Sequence, residues 1–294
     1  MKRFVAVFIM LMALVMVFSA CQITGCSYSR LDYDDAIKYK KGGATIDDEI
    51  TSIEIEWLVG SVNVEYYDGD SIIFAEECNQ ELNDRYVLRY LREGSTLHIK
   101  YAKKGKFPLG VGAIKKDLTV KLPSNLLLSS LEIDSVSSNV SVKGGKTISY
   151  IDIESVSGGV ELIANAKSID VETVSGNVAI ASNTDDFEIE TVSGEVSIGG
   201  SFNSLEATSV SGNITIYAED VKNCGIDSVS GEVYLNLFKG YNYSIKCESV
   251  SGNVYSSVQD DIQGDDLITS GKKESSYIIS TVSSNINICI PNID

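Results

Sequence analysis

Histidine and tryptophan each occur once in 294 residues and proline three times, while acids outnumber cations 41 to 24. Each shortage excludes something. With His98 as the only imidazole, multi-histidine zinc sites are ruled out, and a Ser-His-Asp arrangement would rest on that single ring. The net charge of −17 disfavours nucleic acid, whose binders need a basic stripe to displace phosphate counterions. It equally disfavours a polybasic membrane-surface segment. Residues 131–294 contain no arginine or histidine and 8 lysines against 24 acids, so an acidic glycan would find little neutralising charge there. Any partner is expected to be neutral, cationic or bridged by metal. An apolar content of 44% belongs to a folded chain, not a disordered one.

The N-terminus reads as an address. Two cations at Lys2 and Arg3 precede an unbroken apolar run from Phe4 to Phe18, then Ser19, Ala20 and Cys21. That run is shorter than the ~20 residues needed to span a bilayer, which points to a secretory signal over residues 1–20. Small residues directly before a cysteine resemble the lipobox of bacterial lipoproteins and make Cys21 the expected lipidation site. Cys26 is the alternative, because Ile23, Thr24 and Gly25 fit the pattern better but lie farther from the apolar run. Multiple acyl chains would give stable anchoring. Residues 21–50 are polar and read as a tether.

From Val136 onward the motif V-S-[GS]-x-[VI] recurs eight times, beginning at Val136, Val156, Val174, Val192, Val210, Val229, Val250 and Val282. Apolar or small residues stand five and three places before each valine, and apolar pairs such as Val178 with Ile180 stand four and six after it. Spacing by two is strand periodicity, so each copy reads strand, corner, strand, turn. One copy cannot bury its apolar row alone; stacked copies can. The expected fold class is all-β: a single-stranded parallel β-helix, or β-solenoid, over 131–294, with a strand-rich N-terminal cap over 51–130. Right-handed coiling is preferred to a left-handed triangular form, because the variable step between copies requires a coil that tolerates insertions. Gly158, Gly176, Gly194, Gly212, Gly231 and Gly252 are expected to supply a positive backbone angle at the corners. The hydroxyl before each valine, as at Ser135, Thr191 and Ser209, is expected to satisfy corner backbone groups.

The recurring Ser-Val-Ser-Gly-Asn-Val, the block from Ile53 to Phe74 and the strand from Leu118 to Pro123 together resemble a bacterial β-strand-repeat domain family of unknown function, provisionally named for adhesion. The resemblance extends from about residue 45 to Asp294. It implies a right-handed β-helix-like solenoid on the cell envelope, here in a lipoprotein, and supplies no catalytic residues to carry over.

Several side chains are candidates for a site. The positions four and two before the valine carry acids that should stack into outward columns, with Glu154, Glu172 and Glu190 as a candidate cation column. The blander reading is a solvated face that maintains solubility. Tyr234 and Tyr255 are expected to stack in adjacent coils, near Tyr241 and Tyr243, as a candidate ligand face. Arg85, Arg89 and Arg92 with Lys100 to Lys116 form a basic cap segment, and His98 is expected to have no special role. Cys224 and Cys247, inward in neighbouring coils but offset by two residues, are expected to stay free thiols. Asp260, Asp261, Asp265 and Asp266 fall in a polar loop.

The reading is therefore a non-catalytic, lipid-anchored surface interaction module, with a surface protein or glycan as partner, no nucleic acid, no cofactor and no metal. Alternatives are an envelope-stress sensor or accessory protein, a polymerising scaffold, and a carbohydrate-active β-helix enzyme. For the enzyme, paired carboxylates at glycosidase spacing are uninformative in a chain with so many acids.

Overall fold

A computed structural model describes residues 28–109, 113–238, 243–257, 267–270 and 275–289. Cys21, Cys26, Tyr241 and the aspartates at 260, 261, 265 and 266 lie outside the described residues. Those described form strands and turns without a helix, in a β-solenoid-like arrangement of parallel coils. They divide into two compact units, meeting in sequence at Asn165 and Ala166.

In the first unit the coil pattern begins earlier than the repeat motif. Strand Ser52–Tyr67 runs parallel to Ser130–Lys143 along its length, Ile53 beside Leu131 and Val62 beside Val140. Its alternating Ile53, Ile55, Val62 and Val64 are buried, as a strand with one face in the core requires. On its other side it pairs in parallel with Thr96–Lys100 and Lys116–Pro123. Ser130–Lys143 continues onto Ile148–Ser155 and Val160–Ile163. The coil formed by Thr96–Lys100 and Lys116–Pro123 is closed by antiparallel strands, Arg89–Glu93 on the former and Ile72–Glu77 on the latter. Such covers remove the open edges that would template polymerisation.

Beneath this cover the core changes character. Where later copies place a corner hydroxyl, this unit places Trp57 and then Tyr101, both buried, with ring centroids 5.2 Å apart. Lys116 is fully buried between them, its Nζ 4.8 Å and 4.1 Å from the two ring centroids. That ammonium donates to Glu76 Oε2 at 2.5 Å, to the Tyr86 carbonyl at 2.6 Å and to the Tyr101 carbonyl. Burial lowers its pKa to about 8, against the opposing pull of Glu76. The basic cap segment is thus not one exposed patch. Arg89 is also buried and donates to the carbonyls of Asp84 and Val87.

In the second unit, coils stack in chain order from Ala166–Thr173 to Ile214–Ser228, each in parallel register with the next. The order then breaks. Ile214–Ser228 pairs with Ser275–Thr281, which pairs on its far side with Tyr243–Ser249. Likewise Ile286–Cys289 lies between Val233–Leu237 and Val254–Ser256. The eighth copy therefore sits between the sixth and the seventh, correcting the expectation of sequential stacking. Composition accounts for the exchange. The eighth copy buries Ile286 and Ile288 and suits a place flanked on both sides, whereas the seventh, equally buried at Ile245 and Cys247, sets Val254 and Ser256 beside them and suits an end. Antiparallel Leu267–Ser270 covers one edge of that end coil.

Candidate functional site

The motif residues are committed to the fold. Thr173, Thr191 and Ser209 accept through their hydroxyls from the N–H three residues on, at Gly176, Gly194 and Gly212, over 3.0, 3.0 and 2.9 Å. Each hydroxyl closes its corner, as expected. The serine after the valine holds the preceding coil: Ser193 Oγ donates to Val174 O and Ser211 Oγ to Val192 O, both at 3.1 Å. Asparagine at the variable place does the reverse, with Asn177 Oδ1 accepting from Glu195 N and Asn213 Oδ1 from Glu232 N at 3.0 and 2.9 Å. Sequence reasoning missed this asparagine ladder, although its signal, Asn at the variable place in five of the eight copies, was visible.

The corner glycines are explained differently than expected. Of the six, only Gly231 has positive φ, at 120°. Four of the others, Gly158, Gly194, Gly212 and Gly252, are needed for close approach: a Cβ on Gly194 would strike the carbonyl oxygen of Gly176, and one on Gly212 that of Gly194. At these four corners the neighbouring coil leaves no space for a methyl group, although Ser138 and Ser284 hold the same place in the first and eighth copies.

The acidic columns are present. In the first unit Glu54, Glu132 and Asp152 share one row, and Glu56, Asp134 and Glu154 the next. Both rows end on a base: His98 Nδ1 lies 2.8 Å from Glu54 Oε2, and Lys100 Nζ 3.1 Å from Glu56 Oε2. His98, expected to have no role, thus terminates a column. Asp134 is exposed at its edge, yet desolvation of its carboxyl, then repulsion from Glu154 and Glu56, pushes its pKa up to about 6. Glu154 is also raised, by burial and by Asp152. In the second unit Glu172 and Glu190 are direct neighbours, but Glu190 meets Thr208 next, so this column is short. Glu190 is only 7% exposed, and burial and Glu188 raise its pKa. No group of three or more His, Cys, Asp or Glu suited to a metal ion occurs among the described residues. Gly225 interrupts the neighbouring outward row, leaving a hollow of about 180 Å³ bordered by Glu206, Asp227 and Ile278.

The tyrosines do not form the expected face. Tyr234 and Tyr255 both pair with Asn287, which stands between them because the eighth copy intervenes. Tyr243 is 3% exposed and belongs to the core. Tyr255 is 53% exposed, while Tyr234 is half-buried and donates to Glu232 Oε2. Cys224 and Cys247 are buried free thiols, as expected, but two coils apart, Cys224 beside Tyr277 and Cys247 beside Ile279.

Parallel coils locked by hydroxyl, serine and asparagine ladders define a repeat protein of the β-solenoid-like class. The chain belongs to the Toastrack DUF4097 family, whose profile matches residues 50–289. Among solved structures, a Parabacteroides distasonis protein provisionally described as lipid binding superposes with a TM-score of 0.53 at 16% identity, covering 89% of this chain and 100% of that one. Proteins provisionally described as adhesins from Parabacteroides merdae and Parabacteroides distasonis each give a TM-score of 0.48, at 14% and 15% identity. They cover 86% and 85% of this chain and 96% and 97% of theirs. No curated protein matches.

Proposed function

We propose that this protein is a non-catalytic interaction module held at the extracytoplasmic face of a bacterial envelope by acylation of Cys21, with Cys26 the alternative. In this reading residues 1–20 are removed, 21–50 tether, 51–130 cap, and 131–294 carry right-handed repeats, and the outer surface of cap and repeats meets a surface protein or glycan. One observation carries the non-catalytic part: the recurring hydroxyls close corners and clamp neighbouring strands, as Thr191 and Ser193 do, instead of converging on a reaction centre.

Pull-down from intact cells with the mature chain tests it. Recovery of a specific surface partner is expected. An altered envelope-stress response on deletion, with no partner recovered, would favour the accessory reading. Replacing Cys21 and Cys26 together should release the protein into the medium, and an undiminished membrane fraction would refute the anchor.

A further inference from the structure

We infer that the outer face of the first unit carries a groove for neutral oligosaccharides, a proposal that rests on the interaction-module reading and names its ligand class. The groove is made by chain return. Four strands distant in sequence lie in the order Ser130–Lys143, Ser52–Tyr67, Lys116–Pro123, Ile72–Glu77. Their register sets Ser141, Asn63, Thr119 and Ala75 in one row across the sheet, and Lys143, Glu65, Lys121 and Ile73 in the next. Short, mostly half-buried side chains form the floor, and long exposed ionic ones stand along it. Together they border an open groove of about 530 Å³, within the ~300–1,000 Å³ of small-ligand sites.

The chemistry of the lining selects the ligand. Lys121 Nζ lies 3.3 Å from Glu65 Oε1, and Lys143 Nζ 2.8 Å from Glu161 Oε2, which also accepts from Ser141 at 3.3 Å. An anionic ligand would have to separate these pairs and leave a carboxylate unmatched, and it would also face Glu77 on the same lining. A sugar hydroxyl can donate to the carboxylate and accept from the ammonium while each pair stays intact. Asn63 and Thr119 add a carboxamide and a hydroxyl on the floor, both able to donate and accept. Ile73 and Ala75 give the far side an apolar patch for the C–H face of a ring. An extended peptide cannot add as a strand here, because each of the four strands already has a neighbour on both sides.

The test presents the full mature protein to an array holding chitotriose, maltotriose and cellotriose beside acidic oligogalacturonates, then measures the strongest neutral probe by calorimetry. A neutral oligosaccharide is expected to bind. Asn63→Ala and Thr119→Val should each weaken it about tenfold, the effect of one lost hydrogen bond. Ala75→Trp, which fills the groove, should abolish binding, and Tyr255→Ala in the other unit should leave it unchanged. If Ala75→Trp fails to fold, the two conservative variants still decide. Absence of any neutral binder, preference for oligogalacturonate, or full binding by folded groove variants would overturn the proposal. Should wild type and groove variants recover the same partner from cells, the groove falls while the interaction module stands; should no partner and no glycan be found, both fall.

Discussion

Tyr234 stands beside Asn287 in parallel register, although the sequence places Tyr255 in the next copy of the motif. Neighbouring parallel strands hold their Cα atoms ~4.8 Å apart, inside disulfide range, whereas a strand one further away is at roughly twice that distance. In a background with Cys78 and Cys289 replaced by serine, the pair Tyr234→Cys and Asn287→Cys should therefore oxidise readily. The pair Tyr234→Cys and Tyr255→Cys should not. Non-reducing electrophoresis with mass spectrometry reads the result, and the opposite outcome would restore sequential stacking.

Corner chemistry makes a paired forecast. Gly194→Ala should destabilise by about 1–3 kcal/mol or more, because its methyl meets backbone that cannot yield. Gly225→Ala, whose added carbon meets nothing nearer than 3.8 Å, should be far milder. Thr191→Val, which strips the acceptor from the Gly194 N–H, should cost about 1–3 kcal/mol, and Thr191→Ser should recover most of it. Urea melts of the four variants check the ranking.

Acid should strengthen the first unit before it weakens the molecule. The folded pKa of Asp134, at about 6, lies above its ordinary value of 3.8, so the native state binds the extra proton between those limits and its stability rises as pH falls through 6. With allowance for solvent screening at an exposed edge, the gain is of order 1 kcal/mol. Asp134→Asn should stabilise at pH 7 and flatten the rise in melting temperature between pH 7 and 5. A variant as pH-dependent as wild type would refute this account.

The buried ammonium of Lys116 predicts asymmetry. Lys116→Met leaves the Glu76 carboxylate, whose side chain is only 9% exposed, without its cation and should cost about 3–5 kcal/mol. Adding Glu76→Gln should return a good part of that loss, because the stranded charge is removed with its partner. Equal stability of the single and double variants in denaturant titrations would show that the pair is uncoupled.

The fold was legible where the sequence repeats itself. Inward positions such as Ile169, Ile189 and Val196 follow from period two, and Thr191 was assigned to its corner because a hydroxyl recurs before every valine. What periodicity cannot express is spatial order. Eight similar copies are interchangeable partners as far as local pattern goes, and what distinguishes the copy at the end is as small as Val254 and Ser256 beside Ile286 and Ile288. Glycine misled for a related reason: a residue without Cβ signals either an unusual φ or a close neighbour, and the neighbour of Gly194 lies in another coil. The role of His98 beside Glu54 and the row joining Asn63, Thr119 and Ala75 depend on register between segments far apart in sequence, which no single-segment pattern encodes.

The intercalated eighth copy also bears on how the protein is made. A chain emerging from the ribosome or translocon presents Tyr243–Ser249 before Ser275–Thr281 exists, and the free edge of Ile214–Ser228 is then open to the wrong neighbour. The native stack can close only after residues 275–289 have emerged, either by waiting or by prising a provisional pair apart. Assembly of this end thus waits on Ser275–Thr281 and Ile286–Cys289, whose arrival sets the order in which the unit closes.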